Sequence, residues 1–231
     1  MTTNAPAAVK VAILEDHQGI IDGYYYRLGR TAQVEIVGVA RHGVELEPLL
    51  QRQPADVLFL DVQVPTAPGN PNPYPILHVI PALLQAYPRL QILAISMMTE
   101  RALIQAILDA GASGYILKDD REAIEQLVSI VLSIAAGGIY LSQQARQQLR
   151  KHPPEGAAPA LTGRQLEVLS LCAAYPNWTR AELAQHLNLR HSTVRNLLSN
   201  AYVRLEVNTL AAALAKARQL GLLTPLTVRG Q

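Results

Sequence analysis

The sequence is poor in cysteine, tryptophan and phenylalanine, with one of each in 231 residues. The single cysteine, Cys172, sits in an apolar helical run and has no partner elsewhere in the chain. An intramolecular disulfide is therefore excluded, and a reducing compartment, the cytoplasm, is expected. Uncharged stretches are also few. One of them, Gln126 to Ala145, runs for 20 residues, but Ser129, Ser133 and the pair Gly137-Gly138 interrupt it. It reads as a helix, a turn and the start of another helix, so no membrane span is expected. Met1 to Ala8 lacks a basic start followed by an apolar stretch, so no signal peptide is expected. There is no internal repeat and no glycine-rich nucleotide-binding motif, so any phosphoryl donor must be a separate molecule.

What is present supports folded domains. Hydrophobic residues make up 49% and charged residues 16%, enough apolar content for ordinary cores in one large or two small units. The net charge of +2 is unevenly placed. Residues 1–150 carry 11 Lys/Arg against 14 Asp/Glu, net −3, and residues 151–231 carry 9 against 4, net +5. A small basic piece behind a mildly acidic larger one fits a nucleic-acid-binding unit joined to a control unit.

Val9–Leu14, Val34–Ala40, Val57–Leu60, Gln91–Ile95 and Ser113–Leu117 are short runs rich in Val, Ile and Leu. Such runs suit strands buried on both faces. Amphipathic stretches of helical length alternate with them near residues 18–29, 43–53, 75–87, 100–110 and 120–136. The pattern predicts an α/β fold with a doubly wound, parallel, five-stranded sheet whose ligands bind at strand C-termini. Ser142–Arg150 reads as a short helix, and Lys151–Ala160 (KHPPEGAAPA) as a linker. Beyond Leu161 the pattern is helical throughout. Thr162 with Gln165 and Thr179 with Glu182 form capping boxes at two helix starts. The boundaries are 1–141, 142–160 and 161–231.

Glu15 and Asp16 follow the first strand, Asp61 the third, Ser96 the fourth and Lys118 the fifth. Read singly, an Asp that closes a strand is a turn or cap residue. Together these ends put three carboxylates, a hydroxyl and an ammonium in one pocket. Oxygen ligands of that kind suit Mg²⁺, while a lysine and a hydroxyl stabilise a phosphoryl group in transfer. His17 is expected to face solvent at a helix start.

The stretches Leu14-Glu15-Asp16-His17, Asp61-Val62-Gln63-Val64-Pro65, Ser96 and Gly111 to Lys118 resemble the receiver domain of two-component response regulators, a flavodoxin-like fold, over about residues 9–136. The resemblance implies that Asp61 is the phosphoacceptor. It implies Mg²⁺ ligation by Glu15, Asp16, Asp61 and the carbonyl of Gln63. Lys118 would hold the phosphoryl group, and Ser96 and Tyr115 would be the residues that move on phosphorylation. The sequence departs from the family at Met97, where a small residue is usual and a long side chain is expected to narrow the pocket. The loop Pro65–Pro75, with its five prolines at 65, 68, 71, 73 and 75, is longer than usual. It reads as a rigid, polyproline-like surface insertion, with a lid or docking element as the alternative.

In the C-terminal part, Ser192–Leu205 places Val194, Leu197, Leu198, Ala201 and Leu205 on one helical face and Thr193, Arg195, Asn196, Ser199 and Asn200 on the other. Such a front suits base edges and phosphates in a major groove. Leu161 to Leu169, Glu182-Leu183-Ala184, Thr193 to Asn196 and Leu198-Ser199-Asn200 resemble the LuxR-type helix-turn-helix of NarL/FixJ regulators, over about residues 161–223. The resemblance implies an all-α, four-helix unit that binds double-stranded DNA as a homodimer. Arg195 and Asn196 would face the groove, with Arg190, Ser199, Asn200 and Arg204 nearer the backbone. It departs from the pattern at Leu197, Arg190 and Leu210. Trp178 is expected in the core.

These features predict a transcription factor gated by phosphorylation of Asp61 from a separate sensor histidine kinase, and not an enzyme. Two other readings stay open: a regulator that works without phosphate, and a phosphoryl-transfer enzyme with Asp61 as nucleophile. Between Asp120 and Ala136, the residues Ile124, Leu127, Val128, Val131 and Ala135 are expected to face the sheet. Ile130, Leu132 and Ile134, with Ile104 and Leu108, would then form an apolar surface for a homodimer, the favoured reading, or for docking the helix-turn-helix unit, unless the Ser142–Arg150 helix covers it.

Overall fold

The computed structural model describes residues 7–150 and 161–224; the expected linker Lys151–Ala160 lies outside the described residues. Strands β1 (Val9–Leu14), β2 (Val34–Ala40), β3 (Val57–Asp61), β6 (Gln91–Ser96) and β7 (Gly114–Leu117) are the five expected from the sequence. Their interiors are apolar on both faces because helices cover both. Helices α1 (Gln18–Leu28), α5 (Arg121–Glu125) and α6 (Leu127–Ala135) lie on one side, and α2 (Gly43–Arg52), α3 (Ile76–Ala86) and α4 (Arg101–Asp109) on the other. All pairs are parallel, in the order β2-β1-β3-β6-β7. That order reverses direction between β1 and β3, which opens a crevice at their C-terminal ends.

A sixth strand of two residues, β8 (Tyr140–Leu141), extends the sheet in parallel beside β7. Gly137, at φ +87°, ends the preceding helix and turns the chain back. The backbone N–H groups of Tyr140 and Ser142 then bond the carbonyls of Ser113 and Tyr115. Helix α7 (Gln143–Arg150) packs on α4 and β7.

Two expectations are corrected. The Pro-rich insertion is not polyproline-like: β4 (Pro65–Ala67) and β5 (Asn70–Pro73) form an antiparallel hairpin around Gly69, at φ +86°. Thr66 Oγ1 donates to the Asn72 carbonyl and the Tyr74 N–H to the Val64 carbonyl, so side chain and flanking residues supply bonds the prolines cannot make. The second correction concerns the apolar helix. It breaks at Gln126 into α5 and α6, and the buried stripe runs through the break from Ala123, one residue before the Ile124 expected to start it. Leu127, Ile130, Val131 and Ile134 face the sheet, while Ile124, Val128, Leu132 and Ala135 are partly buried at its flank. Ile104 is buried as well, under the same core that α7 helps to close. Ile104, Ile130 and Ile134 of the proposed dimer patch are therefore interior, and only Leu108 and Leu132 remain partly exposed.

The remaining helices, α8 (Gly163–Ala174), α9 (Arg180–His186), α10 (His191–Arg204) and α11 (Leu210–Gln219), make the all-α unit. Thr162 and Thr179 close capping boxes with Gln165 and Glu182, as expected. Trp178 is half-buried, stacked on Tyr175 at 4.0 Å. Helix α8 packs on α3, and one hydrophobic core runs from the sheet through α3 into the helical unit. Among the described residues no helix is long and apolar enough to cross a membrane.

Candidate functional site

The strand ends converge as the topology requires. Glu15 and Asp16 follow β1, Asp61 closes β3, Ser96 closes β6 and Lys118 follows β7. Glu15 and Asp61 are 1% and 3% exposed. Ligand oxygens of Glu15, Asp16 and Asp61 and a ring nitrogen of His17 lie within 4.8 Å of one another. Lys118 Nζ is 2.7 Å from Glu15 Oε2 and 3.0 Å from Asp61 Oδ2, bridging the two buried carboxylates. The Gln63 backbone N–H donates to Asp61 Oδ1 at 3.2 Å. This bond fixes the carboxylate at the start of its loop.

Burial, followed by the charge of Asp61, pushes the Glu15 carboxyl above its ordinary range, and Lys118 only partly offsets this. Burial alone would depress Lys118, but Asp61 and Glu15 outweigh it and hold the ammonium charged above its usual range. Three carboxylates share one lysine, so the cluster carries an excess of negative charge. Asp16 Oδ1 is buried without an aligned hydrogen bond, with His17 Nδ1 2.9 Å away. An orphaned carboxylate oxygen beside two further carboxylates in an electronegative cluster fits a divalent cation. His17, at the N-cap of α1, is largely exposed, as expected.

Ser96 is fully buried, and its Oγ accepts from the Met98 N–H at 3.1 Å. Tyr115 is also fully buried, and its hydroxyl donates to the Met98 carbonyl at 2.7 Å. Both residues thus hold one segment of the loop after β6. Met97 is 55% exposed, and Met98 is its buried neighbour. A residue the sequence did not single out, Tyr24 on α1, is buried against Phe59. Burial and the charges of Glu15 and Asp61 raise its hydroxyl well above the usual phenol range.

In the helical unit, α10 buries Val194, Leu198 and Ala201, and Leu205 at its end is buried too. Arg190, Thr193, Arg195, Asn196, Ser199 and Asn200 are exposed, and Arg204 is half-buried in the last turn. Arg190 is the N-cap and makes no side-chain cap, so its guanidinium is not used in closing the helix. Contacts between the two units escaped the sequence reading: Thr224 Oγ1 to the Val62 carbonyl, Asn70 Nδ2 to the Ala174 carbonyl, and His78 to Glu167. Their partners lie 89–162 residues apart, and no local signal marks them.

The fold and the acidic cluster define a phosphoacceptor-type α/β domain followed by a helical unit, and comparison with known proteins agrees. Residues 11–130 match the response regulator receiver domain family. The chain is 30% identical to the transcriptional activator protein ExaE of Pseudomonas putida, over 92% of this chain and 97% of that one. It is 25% identical to the transcriptional regulatory protein DegU of Brevibacillus brevis, over 92% and 94%. Among solved structures, RcsB of Salmonella enterica serovar Typhimurium, bound to promoter rprA with a phosphomimetic, superposes with a TM-score of 0.63. That match covers 90% of this chain and 98% of RcsB at 23% identity. The chain belongs to the response regulator family. Within it, the chain stands in the NarL/FixJ group of transcriptional regulators.

Proposed function

We propose that the protein is a DNA-binding transcription factor whose Asp61 accepts a phosphoryl group from a separate sensor histidine kinase. The observation that carries this reading is the Asp61 carboxylate, held 3.0 Å from the Lys118 ammonium beside Glu15 and Asp16. Mg²⁺ held by Glu15, Asp16, Asp61 and the Gln63 carbonyl would neutralise charge on the incoming phosphoryl oxygens. Asp61 is the nucleophile, and Lys118 binds a phosphoryl oxygen. Ser96 and Tyr115 re-form their bonds to the Met98 segment when phosphate arrives. The role is regulatory, with no turnover of a substrate.

The receiver spans residues 1–141, a connecting helix and linker 142–160, and the DNA-binding unit 161–231. On α10, Arg195 and Asn196 reach base edges from the major groove, with Thr193 beside them. Arg190, Ser199, Asn200 and Arg204 contact the phosphate backbone. RcsB is seen on promoter DNA and as dimers on DNA, and a homodimer on paired half-sites is the assembly we propose here. Cys172 is buried and its thiol is pushed up to about 11, which suits a protein of the cytoplasm with no redox role.

Acetyl phosphate with Mg²⁺ should add one phosphoryl group to the protein, read by intact mass, and Asp61→Asn should abolish the addition. An unmodified mass for the parent protein under conditions that phosphorylate a control receiver would overturn the gating, leaving a regulator that works without phosphate.

A further inference from the structure

The hairpin of β4 and β5 directly follows the phosphoacceptor strand, and the helical unit rests on it and its flanks. Asn70 Nδ2 donates to the Ala174 carbonyl at 3.0 Å. Ala174 closes α8, so its carbonyl is among those no amide of its own helix can reach. The hairpin thus supplies a cap to a helix of the other unit. The Asn70 amide is orientated for this: its Oδ1 accepts from the Asn72 N–H at 3.2 Å and from Asn72 Nδ2 at 2.8 Å, leaving Nδ2 to face α8.

Two further contacts flank the hairpin. On one side the Val62 carbonyl, next to Asp61, accepts from Thr224 Oγ1 at 3.3 Å. On the other, His78 Nδ1 lies 2.9 Å from Glu167 Oε1, both side chains being largely buried. Gly221 seats so closely on the loop after β6 that a Cβ there would fall 1.9 Å from Glu100 Cγ. None of these contacts uses α10. The exposed row of Arg195, Asn196, Ser199 and Asn200 stays open to solvent with the units packed together.

We propose that the β4–β5 hairpin is a docking element that clamps the DNA-binding unit to the receiver with its base-reading face already open. Releasing the clamp therefore changes the relative placement of the two units without uncovering the reading surface. The half of this inference that concerns DNA rests on the role given to α10 above; the docking half does not.

The test is a triple variant, Asn70→Ala, Glu167→Ala and Thr224→Ala, which removes the three polar ties and leaves both cores intact. Trp178, the sole tryptophan, reports docking. Its ring is 4.9 Å from that of His186, which lies 4.8 Å from that of His78 on α3. With far-UV circular dichroism unchanged, the variant should show a larger radius of gyration by X-ray scattering and iodide quenching of Trp178 raised about twofold. Its affinity for a random-sequence duplex at low salt should stay within about twofold of the parent. Unchanged scattering and quenching would overturn the docking role of the hairpin. A gain in duplex affinity of about fivefold or more on release would show that the reading face is covered when docked. If neither protein binds duplex, the role of α10 fails and the open-face half with it, while scattering and Trp178 still decide the docking half.

Discussion

Replacing Lys118 with methionine tests how the acidic pocket is held together. Methionine keeps most of the apolar stem and removes the ammonium that bridges Glu15 at 2.7 Å and Asp61 at 3.0 Å. The Lys118 side chain is 9% exposed and its partners 1% and 3%, so solvent screening discounts the effect little. Breaking such a pair costs about 3–5 kcal/mol, and the lower end applies because the cluster meets water beside His17, whose side chain is 61% exposed. With a urea slope of about 2 kcal/mol/M, the midpoint should fall by about 1.5 M in a metal-free buffer above neutral pH.

The loss should depend on pH. Glu15 is already raised above its ordinary 4.5, and without Lys118 it rises further. Its native state then holds a proton that the unfolded chain gives up above pH 4.5. Stability falls as pH rises through that window and levels off above the raised pKa. Each unit of added upward shift contributes about 1.4 kcal/mol, so parent and variant should differ least near the acid end. Mg²⁺ at about 100 times its dissociation constant should return about 2.7 kcal/mol. Urea titrations followed by circular dichroism, at about pH 5 and pH 8, with and without Mg²⁺, make the check. An equal loss at both pH values with no response to Mg²⁺ would refute the electrostatic account and reduce Lys118 to a packing residue.

Arg195→Ala should weaken specific DNA binding by about 1–3 kcal/mol and non-specific binding much less; equal losses in titrations on both DNAs would move Arg195 to the phosphate backbone. Ile130→Ala, in the core against the sheet, should cost about 2–4 kcal/mol of stability, read by denaturant midpoint, where an exposed dimer-face residue would cost almost nothing. Acid should loosen the contact between the units. Burial and His78 hold His186 below 6.5, and Glu167 is held below 4.5 despite its burial by His78 and Arg164. Both shifts mean that the released state binds protons more readily, so docking weakens as pH falls below 6.5, first through His186 and then through Glu167. Iodide quenching of Trp178 should rise on acidification and stay level above neutrality; a flat profile down to about pH 5 would count against it.

The five main strands and the acidic cluster were legible because buried parallel strands leave unbroken apolar runs, and Glu15, Asp16, Asp61 and Lys118 interrupt the chain where those runs stop. The helix starts at Thr162 and Thr179 were equally plain, since a capping box is a local pattern. The stripe on α6 was misplaced because its phase was counted from Ile124, whereas Ala123, too small to stand out in an apolar pattern, is the buried residue of α5. The hairpin was missed because five prolines outweighed one turn signal, Pro68-Gly69. The ties between the units were invisible for a different reason. Asn70, His78 and Thr224 are ordinary polar residues until a distant segment is brought to them.

The prolines of the hairpin also bear on solubility in a crowded cell. Pro65 and Pro73 face one another across the pair, and neither has an N–H to give, so their nitrogens point outward. Pro71 stands two residues from Pro73, and its nitrogen faces the same way. The outer edge of β5 therefore offers no donor at either position to an incoming strand. Where the ribbon reaches solvent, at Pro71, a free edge would otherwise be a template for strand addition between molecules. This one can be carried at high concentration without drawing neighbouring chains into a shared sheet.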